Sequence, residues 1–240
     1  MNKIPNLIPN RKKAIFYAEK NIAQIISDVV QLEDINYTVV EVQTLLDGIT
    51  VGGHKLQDEK ITLNQVSAWH FLFNSLKAKQ FQLTESYLLE LHHIVAQEEA
   101  LSWGKFRNGA VTISGTNYLP PSADSLTHIC QQILSQAQHS LSLGFVGGKA
   151  SWDTYNTATI LFAKLAKSQL FFDGNKRTAR MMMSGILLDA GYPMINIPAS
   201  YKLRYNQAMI NYYNDDDHII DILDIIAELL QHYPLLTEFI

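Results

Sequence analysis

Cysteine is almost missing from this chain: Cys130 stands alone, which excludes an intrachain disulfide and a cysteine-built zinc site. A reducing compartment is permitted, and the cytoplasm is the expected setting. Long apolar runs are missing too. No stretch approaches the roughly 18 consecutive apolar residues that a membrane helix needs, and the polar, Pro-punctuated start does not read as a cleaved signal. Positive charge is not in excess, because 19 Lys+Arg face 23 Asp+Glu for a net charge of -4. The pI near 6.0 argues against general nucleic-acid binding. Repeats, low-complexity tracts and clear linkers are absent as well. What remains is a 240-residue chain, 47% hydrophobic and 18% charged, with the composition of a soluble globular protein and enough length to bury a substantial core in one or two domains.

Helical periodicity covers most of it. Over 11–32, Ile15, Ala18, Ile22, Ile25, Ile26 and Val29 fall near one face. A shorter helix is expected over 38–46, with Gly48 available as its C-terminal cap. Further helices are expected over 64–77, 84–100, 125–141, 151–168, 201–213 and 219–232, with Thr84 and Ser151 or Asp153 as plausible starts. One segment breaks the rule. After Trp103-Gly104-Lys105-Phe106-Arg107, apolar residues alternate at Val111 and Ile113, a short strand pattern, and Gly115-Thr116-Asn117 has turn composition. Pro120-Pro121 closes it. The expected architecture is mostly α with one small β-hairpin.

Residues 169–180 read Gln-Leu-Phe-Phe-Asp-Gly-Asn-Lys-Arg-Thr-Ala-Arg, a polar turn running into a helix that Gly191-Tyr192-Pro193 ends. A helix N-terminus offers unpaired N–H groups and the positive end of the macrodipole, so it holds anions. Gly174 permits close approach of the backbone to a ligand. Lys176, Arg177 and Arg180 add fixed positive charge, the two arginines from neighbouring positions on the helix. Asp173 is an acceptor suited to a Mg²⁺ that bridges phosphates. The stretch reads as a polyphosphate site.

The stretch resembles the signature of the Fic family, His-x-Phe-x-Asp/Glu-Gly-Asn-Gly/Lys-Arg-x-x-Arg. Phe171, Asp173, Gly174, Asn175, Lys176, Arg177 and Arg180 fall in register, and Gln169 occupies the place of the catalytic His. Gly104, Phe106, Arg107, Val111, Ile113, Pro120 and Pro121 match the family's Gly-x-Phe/Tyr-Arg, strand and Pro-Pro patches in order, and Arg204-Tyr205-Asn206 echoes a later helix. The resemblance implies a Fic-fold helical core over 101–240, with a β-hairpin flap at about 103–121 and the motif loop-helix at 169–190. Residues 1–100 are then an N-terminal helical region packed on that core. It implies a protein adenylyltransferase scaffold that takes ATP, or another nucleoside triphosphate, with Mg²⁺ and acts on a protein hydroxyl. Asp173 would hold the metal, Arg177 and Arg180 would grip the β- and γ-phosphates, and Gly174, Asn175 and Lys176 would present backbone amides. Tyr205 would join the nucleotide-binding set. Asn117, Tyr118 and Leu119 would form the flap tip that holds a protein target by strand addition.

Gln169 complicates the activity, because a neutral amide takes up no proton near pH 7. Three function classes stay open: weak or lost AMP transfer, Doc-like phosphoryl transfer suggested by Lys176, and a non-catalytic nucleotide-binding module. Many family members carry an inhibitory helix of pattern Ser/Thr-x-x-x-Glu-Gly/Asn whose Glu pairs with the last motif Arg. Gln43-Thr44-Leu45-Leu46-Asp47-Gly48 is the expected, degenerate counterpart, with Asp47 in the place of the Glu. Other clusters are read as ordinary structure. His92 and His93 point about 100° apart on a helix and chelate poorly. Asp215-Asp216-Asp217 precedes a helix start, and Met181-Met182-Met183 is packing.

Overall fold

A computed structural model describes residues 6–143 and 150–240; part of the polar start, residues 1–5, lies outside them. The helices run α1 (Arg11–Lys20), α2 (Ile22–Gln31), α3 (Val39–Leu46), α4 (Leu56–Lys77), α5 (Glu85–Val95), α6 (Leu126–Ser142), α7 (Ala150–Ser168), α8 (Asn175–Asp189), α9 (Lys202–Asn214) and α10 (Ile219–Gln231). At the centre α7 packs along α8. Helix α6 lies against α7, α4 and α5 lean on α8, and α10 covers α7 and α9. One continuous apolar cluster joins them, including Ile26 and Val30 of α2, Trp69 and Leu72 of α4, Phe162 of α7 and Met182 of α8. Among the described residues no helix is long and apolar enough to cross a membrane.

Local chemistry explains the boundaries. The stretch expected as one helix over 11–32 divides at Asn21, whose side-chain amide donates to the Tyr17 carbonyl at 2.8 Å and so competes with the helical ladder. Thr38 opens α3 with a full capping box to Glu41, and this arrangement, together with the His54 contact, lowers the Glu41 carboxyl to about 2. Such a cap contributes about 1 kcal/mol. Gly48, at φ 79°, ends α3 as its sequence suggests: Gly48 N–H donates to Leu45 O and Ile49 N–H to Thr44 O, a left-handed cap. Helix α5 stops at Val95 rather than running to 100, because the chain turns through Glu98 at φ 60°. The turn it makes carries Glu99.

The β-hairpin expected at 103–121 does not form: no strand occurs among the described residues. The segment is an irregular arm, and Arg107 supplies the reason. Its guanidinium, 2% exposed, donates to Gly109 O at 2.7 Å and to Pro121 O at 2.5 Å. Carbonyls from both ends of the arm are thus satisfied by one side chain, while Pro120 and Pro121 have no N–H to give a ladder. Alternation of Val111 and Ile113 gave the residues of a strand without the partners of one.

Candidate functional site

The motif loop is built from the end of α7 to the first turn of α8. Gln169 adopts φ 44°, uncommon for a residue with a Cβ. Arg107 holds it there: Nε donates to Gln169 O at 2.6 Å and Arg107 N–H to Leu170 O at 3.0 Å. Asn175 closes the turn from the other side. Its Oδ1 accepts from Phe171 N–H and its Nδ2 donates to Phe171 O, both at 2.9 Å. Gly174 is the N-cap of α8 at φ 74°, a left-handed conformation that glycine adopts without steric cost. The N–H groups of the following turn have no helical carbonyl to reach, and they face the loop.

His92 forms the floor. Its ring stacks on Phe171 with centroids 3.5 Å apart and planes 9° from parallel. Gly104 N–H donates to Nδ1 at 3.1 Å, so Nε2 carries the proton it shares with Asp173 O, also at 3.1 Å. The imidazole is therefore neutral, and burial holds its pKa down at about 4. The folded state favours the neutral ring, so this contribution is complete above the unfolded value of 6.5 and is lost as pH falls through about 4. A shift of that size corresponds to about 3 kcal/mol. We expect the melting temperature to fall between pH 6.5 and 4 and His92→Gln to flatten that slope; equal slopes in both proteins would remove His92 as the cause.

The three cations of the motif are each engaged by an acid. Arg177, 4% exposed, makes a two-pronged pair with Glu99: Nη1 donates to Oε2 at 2.8 Å and Nη2 to Oε1. Asp173 Oδ1 lies 3.4 Å from the same Nη2. Burial works to lower the Arg177 pKa, but Glu99, Glu33 and Asp173 outweigh it and raise it. Glu33, in the turn after α2, stands between Lys176 and Arg180, with Oε2–Nζ and Oε1–Nη2 distances of 3.3 Å. Burial pushes the Glu33 carboxyl up, yet the charges of Lys176, Arg180 and Arg177 together hold it below its usual range. The cleft lined by Glu33, Gln169, Asp173, Gly174, Asn175 and Lys176 has a volume of about 90 Å³. Ligand pockets span roughly 300–1,000 Å³, so the cleft as it stands is smaller than a ligand pocket, with Glu33 on its wall.

Some donors wait unused. Nε and Nη1 of Arg180 and the hydroxyl of Tyr205 are buried without a hydrogen-bond partner, and the Arg180 guanidinium lies 5.8 Å from the Tyr205 ring centroid. Burial pushes the Tyr205 phenol up to about 12, so it remains a donor. These orphaned groups suit phosphate oxygens. Asp173 suits a hard cation: its side chain is 60% exposed and only Oδ1 is engaged, by Gly174 N–H at 2.6 Å and the more distant Arg177. One carboxylate plus phosphate oxygens and water is a normal Mg²⁺ environment.

Asp47 does not reach this site. It is the exposed C-cap of α3 and accepts from Gln43 Nε2 at 3.0 Å. Glu33 sits on Arg180 instead. The sequence signal was partial: Glu33 keeps the acid of the inhibitory pattern, but Val29 stands in the Ser/Thr place, and Asp34, at φ 64°, in that of the Gly or Asn that a left-handed turn favours. Glu99 had no such signal. On the arm, Asn117 and Leu119 are exposed. Tyr118 packs inward on Tyr213, 6.2 Å between centroids, under Lys167 at 5.0 Å. Thr116 Oγ1 donates to Asn214 Oδ1 at 2.6 Å, so α9 anchors the tip.

Residues 82–187 match the sequence profile of the Fic/DOC family. Two curated relatives, each named protein adenylyltransferase Fic, are 27% identical over 76% of this chain in Drosophila ananassae and 28% identical over 73% in Drosophila virilis. The chain spans 35% of the length of either relative. Among solved structures, a Fic-domain-containing signalling protein from Bacteroides thetaiotaomicron superposes with a TM-score of 0.77 at 19% identity, covering 96% of this chain and 90% of its own. Fic-1 from C. elegans gives 0.77 at 18% identity, covering 94% and 66%. The fold, the matched segment and the order of the motif patches agree: residues 82–187 of this chain form a Fic/DOC family segment.

Proposed function

We propose that this chain binds ATP with Mg²⁺ at the N-terminus of α8, on a protein adenylyltransferase scaffold that Glu33 holds closed and Gln169 makes slow. One observation carries the reading: the carboxylate of Glu33 lies between Lys176 and Arg180, an internal anion in the place of a polyphosphate. Release of Glu33 exposes Lys176 Nζ, the Arg180 fork and the Tyr205 hydroxyl to the terminal phosphates. The amides of the first α8 turn take the inner ones. Mg²⁺, when bound beside Asp173, supplies charge neutralisation between phosphates.

Transfer of AMP requires a target hydroxyl to attack the α-phosphorus while pyrophosphate departs, and the hydroxyl proton must go somewhere. Gln169 offers no base. Both ends of its amide are also occupied, Nε2 by Ala166 O at 2.7 Å and Oε1 by Asn175 Nδ2 at 3.3 Å. Loss of a positioned base costs about 10²–10⁴ in rate, which leaves binding intact and chemistry weak. The protein substrate would lie along the arm tip at Asn117 and Leu119, and the cytoplasm, with its reduced thiols and ATP, is the setting we assign.

ATP labelled on the α- or the γ-phosphate tests this, with Mg·ATP binding measured in parallel. Slow transfer from α is the expected result. Transfer from γ alone would favour the phosphoryl-transfer alternative that Lys176 suggests, binding without any transfer would leave a non-catalytic module, and absence of binding would remove the phosphate site. Glu33→Gln keeps the shape and removes the charge. We expect it to tighten Mg·ATP binding by at least about tenfold, since a competing charge-assisted contact is worth roughly 1.5–3 kcal/mol; an unchanged dissociation constant would show that Glu33 does not occupy the phosphate position.

A further inference from the structure

A cavity of about 580 Å³ opens between α1, α2, the 194–198 segment and the end of α10. Its walls are mostly apolar, with Ile25, Met194 and Leu229 joined by the rings of Tyr17, Tyr201 and Tyr233. That size and lining are those of a small-molecule pocket. One group does not fit an apolar filling. Asp28, also on the wall, is only 5% exposed. Its Oδ2 accepts from Gln24 Nε2 at 2.8 Å and Asn196 Nδ2 at 2.6 Å, and its Oδ1 from Ala199 N–H at 2.9 Å. All three donors are neutral amides, and Oδ1 keeps a lone pair. Buried carboxylates are normally matched by a cation. Here none of the partners carries charge, and Tyr17 and Tyr233 line the same cavity with Tyr201, whose ring already meets Arg204, a setting that favours an organic cation.

We propose that this cavity is an effector site for a small organic amine with an aromatic or apolar body, its ammonium on Asp28 Oδ1 and its body among Tyr17, Tyr201 and Tyr233. Asp28 lies on α2, and the turn that follows α2 delivers Glu33 to Lys176 and Arg180. An occupant that bridges α2 to the 194–198 segment braces the helix in the position that keeps Glu33 on those cations. Binding at one site then opposes binding at the other, and the opposition is reciprocal. The coupling rests on the assignment of Glu33 as occupant of the phosphate position; binding of the amine does not.

The test uses tryptamine and its neutral isostere tryptophol in titration calorimetry with the full chain. Saturable tryptamine binding, at least about thirtyfold tighter than that of tryptophol, is expected for a buried charge partner. Asp28→Asn should weaken tryptamine by a similar factor. Leu229→Trp, which puts a larger ring into the cavity from the α10 wall, should weaken binding while circular dichroism stays native. Absence of saturable binding up to millimolar tryptamine, equal affinity for the two probes, or unchanged binding in Leu229→Trp overturns the site. With tryptamine saturating, Mg·ATP binding should weaken severalfold in the native protein and remain unaffected in Glu33→Gln. An unchanged Mg·ATP affinity in the native protein with tryptamine bound overturns the coupling.

Discussion

Glu33→Gln/Gln169→His should transfer AMP to a protein hydroxyl about 10²–10⁴ times faster than the parent chain, the factor that a positioned general base contributes. The two substitutions address different steps. Removing the Glu33 charge lets the triphosphate settle on Lys176 and Arg180, and the imidazole then accepts the proton that the Gln169 amide cannot. The backbone at 169 is ready for the exchange. Its φ of 44° is fixed by Arg107 through the Gln169 carbonyl and Leu170 carbonyl, contacts that do not involve the side chain, and His tolerates this region better than most residues. Gln169→His alone should gain at least about tenfold, limited by the closed cleft. The measurement is incorporation from α-labelled ATP at saturating Mg·ATP. Unchanged incorporation in the double variant, with tight Mg·ATP binding, would place the base elsewhere or show the acceptor position to be blocked.

How much of this was legible depends on whether the cause was local. The loop-helix could be read because its backbone demands are written in residue types: Gly174 takes the left-handed turn, Asn175 bonds both polar groups of Phe171, and α8 follows with its apolar spacing. Most helices were visible in their periodicity, and Gly48 in its capping role. The hairpin was misread because alternation at Val111 and Ile113 says nothing about which carbonyls are already taken, and Arg107 takes those at Gly109 and Pro121. Asp47 masks Glu33 in the sequence, because Asp47 is followed by the Gly of the inhibitory pattern and Glu33 by Asp34; which acid meets Arg180 is set by tertiary packing. The descent of the turn after α2 onto α8 is a property of the assembled bundle, whereas the division of α1 from α2 has its cause in the Asn21 side chain on the Tyr17 carbonyl. Glu99 was invisible for the same reason, one of two adjacent acids with no spacing to mark it.

Glu99→Ala should be the most destabilising single change near the site. Arg177 is 4% and Glu99 5% exposed, and removal of one partner leaves a buried guanidinium with Asp173 alone at 3.4 Å. Breaking a buried pair from one side costs about 3–5 kcal/mol, or roughly 10 °C in melting temperature for a chain of this size. Replacing both residues with apolar side chains should recover much of that loss, since the penalty lies in the stranded charge rather than in the missing bond. The pair also decides what Arg177 does. If Arg177 serves to tie the turn after α5 to α8, then Glu99→Met/Arg177→Met binds Mg·ATP within a small factor of the parent. If it grips a phosphate, as its place in the motif suggests, the double variant loses affinity while keeping its fold. Arg180→Ala provides the reference, because its unpaired Nε and Nη1 have no comparable structural partner. The geometry favours the first outcome: a fork already closed on Glu99 has to break two charge-assisted bonds before it reaches a ligand, whereas Arg180 has donors waiting. Thermal unfolding and Mg·ATP calorimetry on the three variants separate the two roles, and a stable Glu99→Ala protein would refute the claim that the pair is buried and mutually dependent.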